Sequence, residues 1–406
     1  MTTQESDGTE LFDVGGYRLA RPFRVRRLGH IGLNCTLIDE SLHCYRDLLG
    51  LRISDRIDFS QRIPNPEIID GLGDPGGYFM RHGTDHHSFV LFNRRVREAV
   101  DQHRVFPPEV TVNQISWQVG SLREVAQGES WLRGGGCQIQ RSGRDMPGSN
   151  WHTYFYDPDG HTNELFYGME QIGWTAVSKP LDFYKYGART TATLPQISET
   201  EEVDTAIGNG VDLNSGMRDV NRTTERFDVG GVLLSRPFKI VRIGPLRLFV
   251  NDVDAAQDFY RDILGLRVTT QIDYQGLRCV FLRANTEHHC IALYPIELRE
   301  RLRLSPHSTT FSVGMQIGTY RQLHDARTYL RDHGLAEVKL PPELFPGMPR
   351  AFRVRDPDGH LIEFYDSMSQ VFDAAPHFDS LADEWPETVD DDGIALFGEP
   401  FFGPLE

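Results

Sequence analysis

The amino-acid sequence predicts an α+β protein built from four βαβββ modules, paired two by two into two domains. The first observation behind this is an internal repeat. Asp157-Pro158-Asp159-Gly160-His161-Thr162-Asn163-Glu164 returns as Asp356-Pro357-Asp358-Gly359-His360-Leu361-Ile362-Glu363. Phe12-Asp13-Val14-Gly15-Gly16 and Tyr45-Arg46-Asp47-Leu48-Leu49-Gly50-Leu51-Arg52 return at Phe227 to Gly231 and Tyr260 to Arg267, so the chain is a tandem duplication. The second is a finer order inside each half: an apolar strand, an amphipathic helix stopped by glycine, then three more strands. The third is size, because 406 residues with 39% hydrophobic and 25% charged side chains suffice to fill two cores.

Taken along the chain, the first module reads as a strand over Val25 to Cys35 and a helix over Asp39 to Leu49, closed by Gly50. Strands over Leu51 to Phe59, Gly77 to Arg81 and His87 to Phe92 complete it. The second has a strand over Val110 to Val119 and a helix over Leu122 to Leu132, stopped by Gly134-Gly135-Gly136. Its remaining strands cover Cys137 to Arg141, Trp151 to Tyr156 and Thr162 to Tyr167. The C-terminal half repeats this from Ile240 to Tyr294 and from Thr309 to Tyr365. The domains are therefore expected at 1–180 and 227–369. A polar linker at 181–226 joins them, and an acidic, aromatic tail follows over 370–406, with Asp390-Asp391-Asp392, Trp385, Phe397, Phe401 and Phe402. An insertion around Gln61 to Glu67, absent from the second half, reads either as a surface loop or as a lid over a pocket.

The net charge of −16, without clustered Lys and Arg, argues against a nucleic-acid partner. No apolar run approaches the ~18 residues that span a bilayer, and the polar, acidic start is unlike a signal peptide, so a cytoplasmic protein without a membrane partner is expected. The odd set of Cys35, Cys44, Cys137, Cys279 and Cys290, without CxxC spacing, reads as reduced thiols.

Several marks together resemble the vicinal oxygen chelate superfamily (glyoxalase, bleomycin resistance and dioxygenase), and within it the type I extradiol ring-cleaving dioxygenases. They are Leu28-Gly29-His30-Ile31, Tyr45 with Leu48-Leu49-Gly50-Leu51, Asp85-His86-His87-Ser88, Gly143-Arg144, Tyr154, and Asp157 through His161 with Glu164. The resemblance covers roughly 25–170 and 240–366. It implies two cup-shaped domains, a divalent metal, Fe(II) or alternatively Mn(II), a small catecholic or hydroquinone-like substrate, O2 as co-substrate, and assembly into a homo-oligomer. Known members carry the catalytic pair of modules second, whereas this chain reverses the order. Alternate residues of a strand share a face. The first strand thus sets His30, Gly32 and Asn34 together, and its C-terminal copy sets Pro245, Arg247 and Phe249, which offer no ligand.

By this resemblance His30 and Glu164 are the metal-ligating His and Glu, and Gln114 stands where the family's second His belongs. An amide oxygen can ligate a hard divalent ion but suits Fe(II) less well than imidazole does. Three readings stay open: a His30/Gln114/Glu164 site, a site recruiting His87 or His152, and a site without metal. His87 matches a histidine beside bound oxygen and substrate, and by strand alternation His86 would face away from it. Tyr154 matches a tyrosine that hydrogen-bonds a substrate oxygen. Asp145 replaces the family's acid-base His, and would exchange protons if burial raised its pKa, or else serves as a turn residue. His152, on the same side as Tyr154, is a substitute acid or base. A Lewis-acid isomerase or hydrolase on the same cup, and a non-catalytic binder of aromatic metabolites, are the competing functions.

Overall fold

The computed structural model describes residues 11–100, 107, 109–221 and 223–371. After a small hairpin of β1 (Phe12–Val14) and β2 (Tyr17–Leu19), the N-terminal half forms one eight-stranded sheet. Its strands are β3 (Arg27–Cys35), β4 (Arg52–Asp58), β5 (Gly76–Arg81), β6 (Phe89–Asn93), β7 (Val112–Gln118), β8 (Ile139–Gly143), β9 (Trp151–Tyr156) and β10 (Thr162–Tyr167). They lie in the order β4-β5-β6-β3-β7-β10-β9-β8, so the two modules meet where β3 runs antiparallel to β7. Each module contributes one parallel pair, β3 with β6 and β7 with β10, which requires a crossover and gives the helices their place on one face.

The C-terminal half repeats the plan. A hairpin of β11 (Phe227–Val229) and β12 (Val232–Leu234) precedes β13 (Ile240–Val250), β14 (Arg267–Tyr274), β15 (Leu277–Arg283), β16 (Ile291–Pro295), β17 (Thr310–Ile317), β18 (Ala351–Arg355) and β19 (Leu361–Tyr365). This sheet has seven strands, because the counterpart of β8 is reduced to a single bridge between Glu337 and Val354. The fourth module thus keeps its helix, Tyr320–Asp332, and three ladder strands, β17, β18 and β19.

Both sheets turn their apolar faces inward to one shared core. Ile31, Leu33, Ile115, Trp117, Phe155 and Leu165 from the first half join Leu246, Leu248, Val313, Met315, Ile362 and Phe364 from the second. Each of these alternates with a residue facing the other way, which leaves the opposite face of the N-terminal sheet for polar groups and that of the C-terminal sheet for a second, aromatic-rich cluster. The two DPDGH turns latch the halves together. Asp157 accepts hydrogen bonds from the His161 amide (2.8 Å) and the Tyr260 hydroxyl (2.8 Å); Asp356 accepts from the His360 amide (2.7 Å) and the Tyr45 hydroxyl (2.9 Å). The second aspartates cap opposite strand ends, Asp159 at the Asn251 amide and Asp358 at the Thr36 amide, each at 2.8 Å.

The 181–226 segment differs from a plain polar linker. It carries the helix Glu199–Gly208, started by a capping box of Ser198 and Glu201. Phe183, Ala206 and Val211 bury against Met146, and Arg144 pairs with Glu202 at 2.5 Å. Its apolar residues are too few and too widely spaced to show helical periodicity, which is why the sequence reads as featureless. The insertion folds into two short 3-10 turns, Phe59–Gln61 and Pro66–Ile69, and its Arg62 stacks over the ring of Tyr184 at 4.1 Å. The aromatic residues of the tail lie outside the described residues. All five cysteines are free thiols, and no helix among the described residues is long and apolar enough to cross a membrane.

Candidate metal centre

The polar face of the N-terminal sheet carries one lateral row. His30 on β3 pairs in register with Ser116 on β7, Ser116 with Glu164 on β10, and Glu164 with Tyr154 on β9. Four side chains from four adjacent strands therefore emerge side by side. His30 and Glu164 are both buried, and His30 Nε2 lies 2.8 Å from Glu164 Oε2. Neither ring nitrogen of His30 makes a hydrogen bond of acceptable geometry. Two donors bound cis on an octahedral ion with bonds of about 2.0–2.1 Å would stand ~2.9 Å apart, which matches this spacing.

Glu164 is held by hydrogen bonds from the Ser116 hydroxyl to Oε2 and from Asn150 Nδ2 to Oε1 (2.7 Å). Burial alone would raise its pKa, but His30, His152 and Ser116 outweigh that and hold it down to about 2. It is therefore a carboxylate at neutral pH. An isolated buried carboxylate costs several kcal/mol, so this one calls for the positive charge of a partner.

Gln114 sits on the same face one row along, opposite Gly32, and is buried with its Nε2 unpaired. Among the described residues no group of three or more His, Cys, Asp or Glu stands ready to hold a metal ion. His30 and Glu164 supply two such donors, and the Gln114 amide and the Ser116 hydroxyl are neutral oxygen donors on the same face. Nitrogen, carboxylate and neutral oxygen together suit a divalent ion, and the unpaired imidazole of His30 beside a fully buried carboxylate fits one.

Three further imidazoles surround the row. His86 and His87 fall in the bend between β5 and β6 and not on a strand, so strand alternation does not apply to them. Their Nδ1 atoms approach to 3.0 Å; the His87 ring lies edge-on to His30 at 4.3 Å, while His86 Nε2 turns toward Asp55 (3.9 Å) and Glu170 (4.0 Å). His152 has Nδ1 3.8 Å from Glu164 Oε1 and packs on Tyr154 at 4.8 Å. Burial lowers the pKa of all three, to about 3 for His86, about 4 for His152 and well below the usual range for His87, so each is neutral at neutral pH. The Tyr154 phenol moves the other way, raised by burial and by the Glu164 charge.

Asp145 does not meet the condition set for an acid-base group. Burial would raise its pKa, but Arg141 (3.1 Å) and Arg189 (2.9 Å), with His152, hold the carboxyl below the usual carboxylate range. It fixes Arg141, whose guanidinium lies over the Tyr154 ring at 4.6 Å. Two residues that sequence reasoning left without a role, Ser116 and Asn150, hold Glu164. Ser116 shares a strand face with Gln114 by alternation, whereas Asn150 precedes β9 in a loop and carries no sequence signal.

The corresponding face of the C-terminal half is closed. Arg247 and Arg353 both pair with buried Glu363, and Arg247 Nη2 lies 3.1 Å from His289 Nε2. Phe249, Phe281, Tyr294, Phe311 and Phe345 fill the space around them. Gly314 stands where Ser116 does, and a side chain there would strike Gly244 and Pro245.

The sheet of paired βαβββ modules thus forms a cup with His30 on β3 and Glu164 on β10, flanking β7. The chain belongs to the Glyoxalase/Bleomycin resistance protein/Dioxygenase superfamily, whose family model matches residues 27–165 and 242–364. Metapyrocatechase 2 of Cupriavidus necator is 32% identical over 148 residues, which make up 36% of this chain and 38% of that protein. The fold is shared with homoprotocatechuate 2,3-dioxygenase of Arthrobacter globiformis (TM-score 0.53, 18% identity, 86% and 82% of the two chains covered). It is shared equally with a halotolerant catechol dioxygenase, BphC (0.54, 14%, 87% and 90%), and with a Mn(II)-bound glyoxalase of Novosphingobium aromaticivorans (0.53, 16%, 87% and 86%).

Proposed function

We propose that this protein is an extradiol-type ring-cleaving dioxygenase, acting on a catecholic or hydroquinone-like aromatic at the N-terminal cup. The observation that carries this reading is the His30–Glu164 approach at 2.8 Å without hydrogen-bond geometry, in one row with Tyr154 and flanked by neutral His87. His30, Glu164 and the Gln114 amide oxygen would hold Fe(II), or alternatively Mn(II). When bound, the ion supplies a positive centre that gathers an aromatic diol with O2 and passes electrons between them.

The protein's own groups then divide the remaining work. Ser116 and Asn150 occupy both oxygens of Glu164, fixing the carboxylate's orientation. Tyr154, kept protonated, donates a hydrogen bond to a substrate oxygen, and Arg141 holds its ring in place. His87, a neutral imidazole, accepts a diol proton and returns it as the ring opens, with His152 as a second base on the other side of Glu164. The reaction breaks a ring carbon–carbon bond beside the diol and places both atoms of O2 in the product.

Gln114 supports a second reading. Because a neutral amide is a poorer iron ligand than imidazole, a Lewis-acid isomerisation or hydrolysis needing no redox change is also compatible with this cup. A panel of catechols and hydroquinones, assayed for O2 uptake with and without air, separates the two. Ring cleavage requires one O2 per substrate consumed. Equal turnover under argon assigns the Lewis-acid reaction, and tight binding without product assigns a sequestering protein.

A further inference from the structure

A second surface, separate from the metal row, stands against the acidity of the chain. A groove between the halves is lined by Arg52, Arg218, Arg226, Arg236 and Lys239, with no Asp or Glu among its lining residues. Among the described residues, Arg218, Arg226 and Arg236 make no ion pair. Arg236 donates instead to the carbonyls of Arg46 and Asp47, with the Asp47 and Asp219 carboxylates acting on it from beyond the groove's lining, and Arg226 donates to the carbonyls of Thr223 and Glu225. Beside these cations Trp174 is 83% and Leu233 69% exposed, and both line the same groove. Cations gathered around exposed apolar side chains, in a chain of net charge −16, ask for an anionic and aromatic occupant.

The chain contains such a segment. Residues 372–406 carry ten Asp and Glu, no Lys or Arg, and Phe372, Phe378, Trp385, Phe397, Phe401 and Phe402. The segment also begins near the groove. The Val371 amide donates to the Thr286 carbonyl, and the neighbouring Asn285 lines a cavity whose other lining residues include His82 and Lys239, both shared with the groove. At ~3.3 Å per extended residue the segment is far longer than the distance to be crossed. We propose that the groove receives the chain's own residues 372–406, their carboxylates facing the arginines and their aromatic side chains meeting Trp174 and Leu233. Tethering supplies an effective concentration on the order of millimolar, so weak contacts suffice.

Carbodiimide coupling of the full-length protein at low ionic strength, followed by peptide mapping, tests this. Lys239 is expected to couple to carboxylates of 372–406 at least about five-fold more than Lys185, an exposed lysine outside the groove, with the excess lost near ~0.5 M salt. Arg218→Glu with Arg226→Glu is expected to remove the excess. Asp390→Asn with Asp391→Asn and Asp392→Asn, which leaves the groove untouched, is expected to reduce it. Coupling at Lys239 no greater than at Lys185, or unaffected by either set of changes, overturns the proposal. In a mixture of isotopically heavy and light protein, coupling only between unlike copies would assign the groove to a second copy and likewise overturn it.

Discussion

The Tyr260 hydroxyl donates to Asp157 Oδ2 at 2.8 Å across the boundary between the halves, and Tyr45 makes the reciprocal bond to Asp356 at 2.9 Å. The motif that leads each glutamate onto its strand is thus also the latch that joins the domains. Each tyrosine is buried, and each bond ends on a buried carboxylate. Such bonds contribute roughly 1.5–3 kcal/mol. Tyr260→Phe and Tyr45→Phe should each lower unfolding free energy by about that amount in urea titrations, and by similar amounts because the contacts are equivalent. A loss below about 0.5 kcal/mol in both would remove the latch.

Glu363 is predicted to be structural. It neutralises Arg247 and Arg353, all three being buried, so Glu363→Ala strands two guanidinium groups without their counter-ion. Breaking a buried pair in this way costs about 3–5 kcal/mol. Thermal unfolding should report a large loss of stability, and a variant as stable as the parent would contradict the assignment.

A third prediction concerns pH. Burial raises the Asp55 pKa to about 7 from 3.8, so between these values the folded protein holds a proton that the unfolded chain has released. The folded state binds more protons, and stability therefore falls as pH rises from about 4 to 7, by at most on the order of 4 kcal/mol. Asp55→Asn should flatten that part of the stability profile, measured by denaturant titration at fixed pH values. An unchanged slope would show that Asp55 ionises normally.

Much of this architecture was legible in the sequence. The duplication and glycine-stopped helices gave four modules, and alternation on β3 brought His30 to the polar face while emptying its C-terminal copy of ligands. What stayed hidden depends on register and tertiary contact. The pairing of His30 with Ser116 is decided by a ladder with a bulge between Leu28 and His30, which no spacing within one strand encodes. The same holds for Asp145, whose pKa burial would raise but Arg141, His152 and the distant Arg189 together hold down, and for the 181–226 segment, whose helix is stabilised by Met146 and Arg144.

Turnover should separate the roles of the groups around the row. Tyr154→Phe keeps the ring over Arg141 but removes the hydroxyl, and a lost transition-state hydrogen bond lowers kcat by roughly 10- to 100-fold. His87→Ala should lower kcat by about 100-fold or more, as removal of a general base does. Both should retain the parent's metal content in elemental analysis. Loss of metal in either variant would make that residue a ligand.

One divalent ion is expected to unite His30 and Glu164 in the N-terminal cup while the C-terminal cup binds none. The most direct test is the metal content of protein purified without added metal, measured by elemental mass spectrometry on the parent, Glu164→Ala, Gln114→Ala and Glu363→Gln. The parent should hold one ion per chain and Glu164→Ala none, with a substantial loss in Gln114→Ala and full retention in folded Glu363→Gln. A parent that binds no metal even when it is supplied, or an ion that survives Glu164→Ala and is lost with Glu363→Gln, would contradict this.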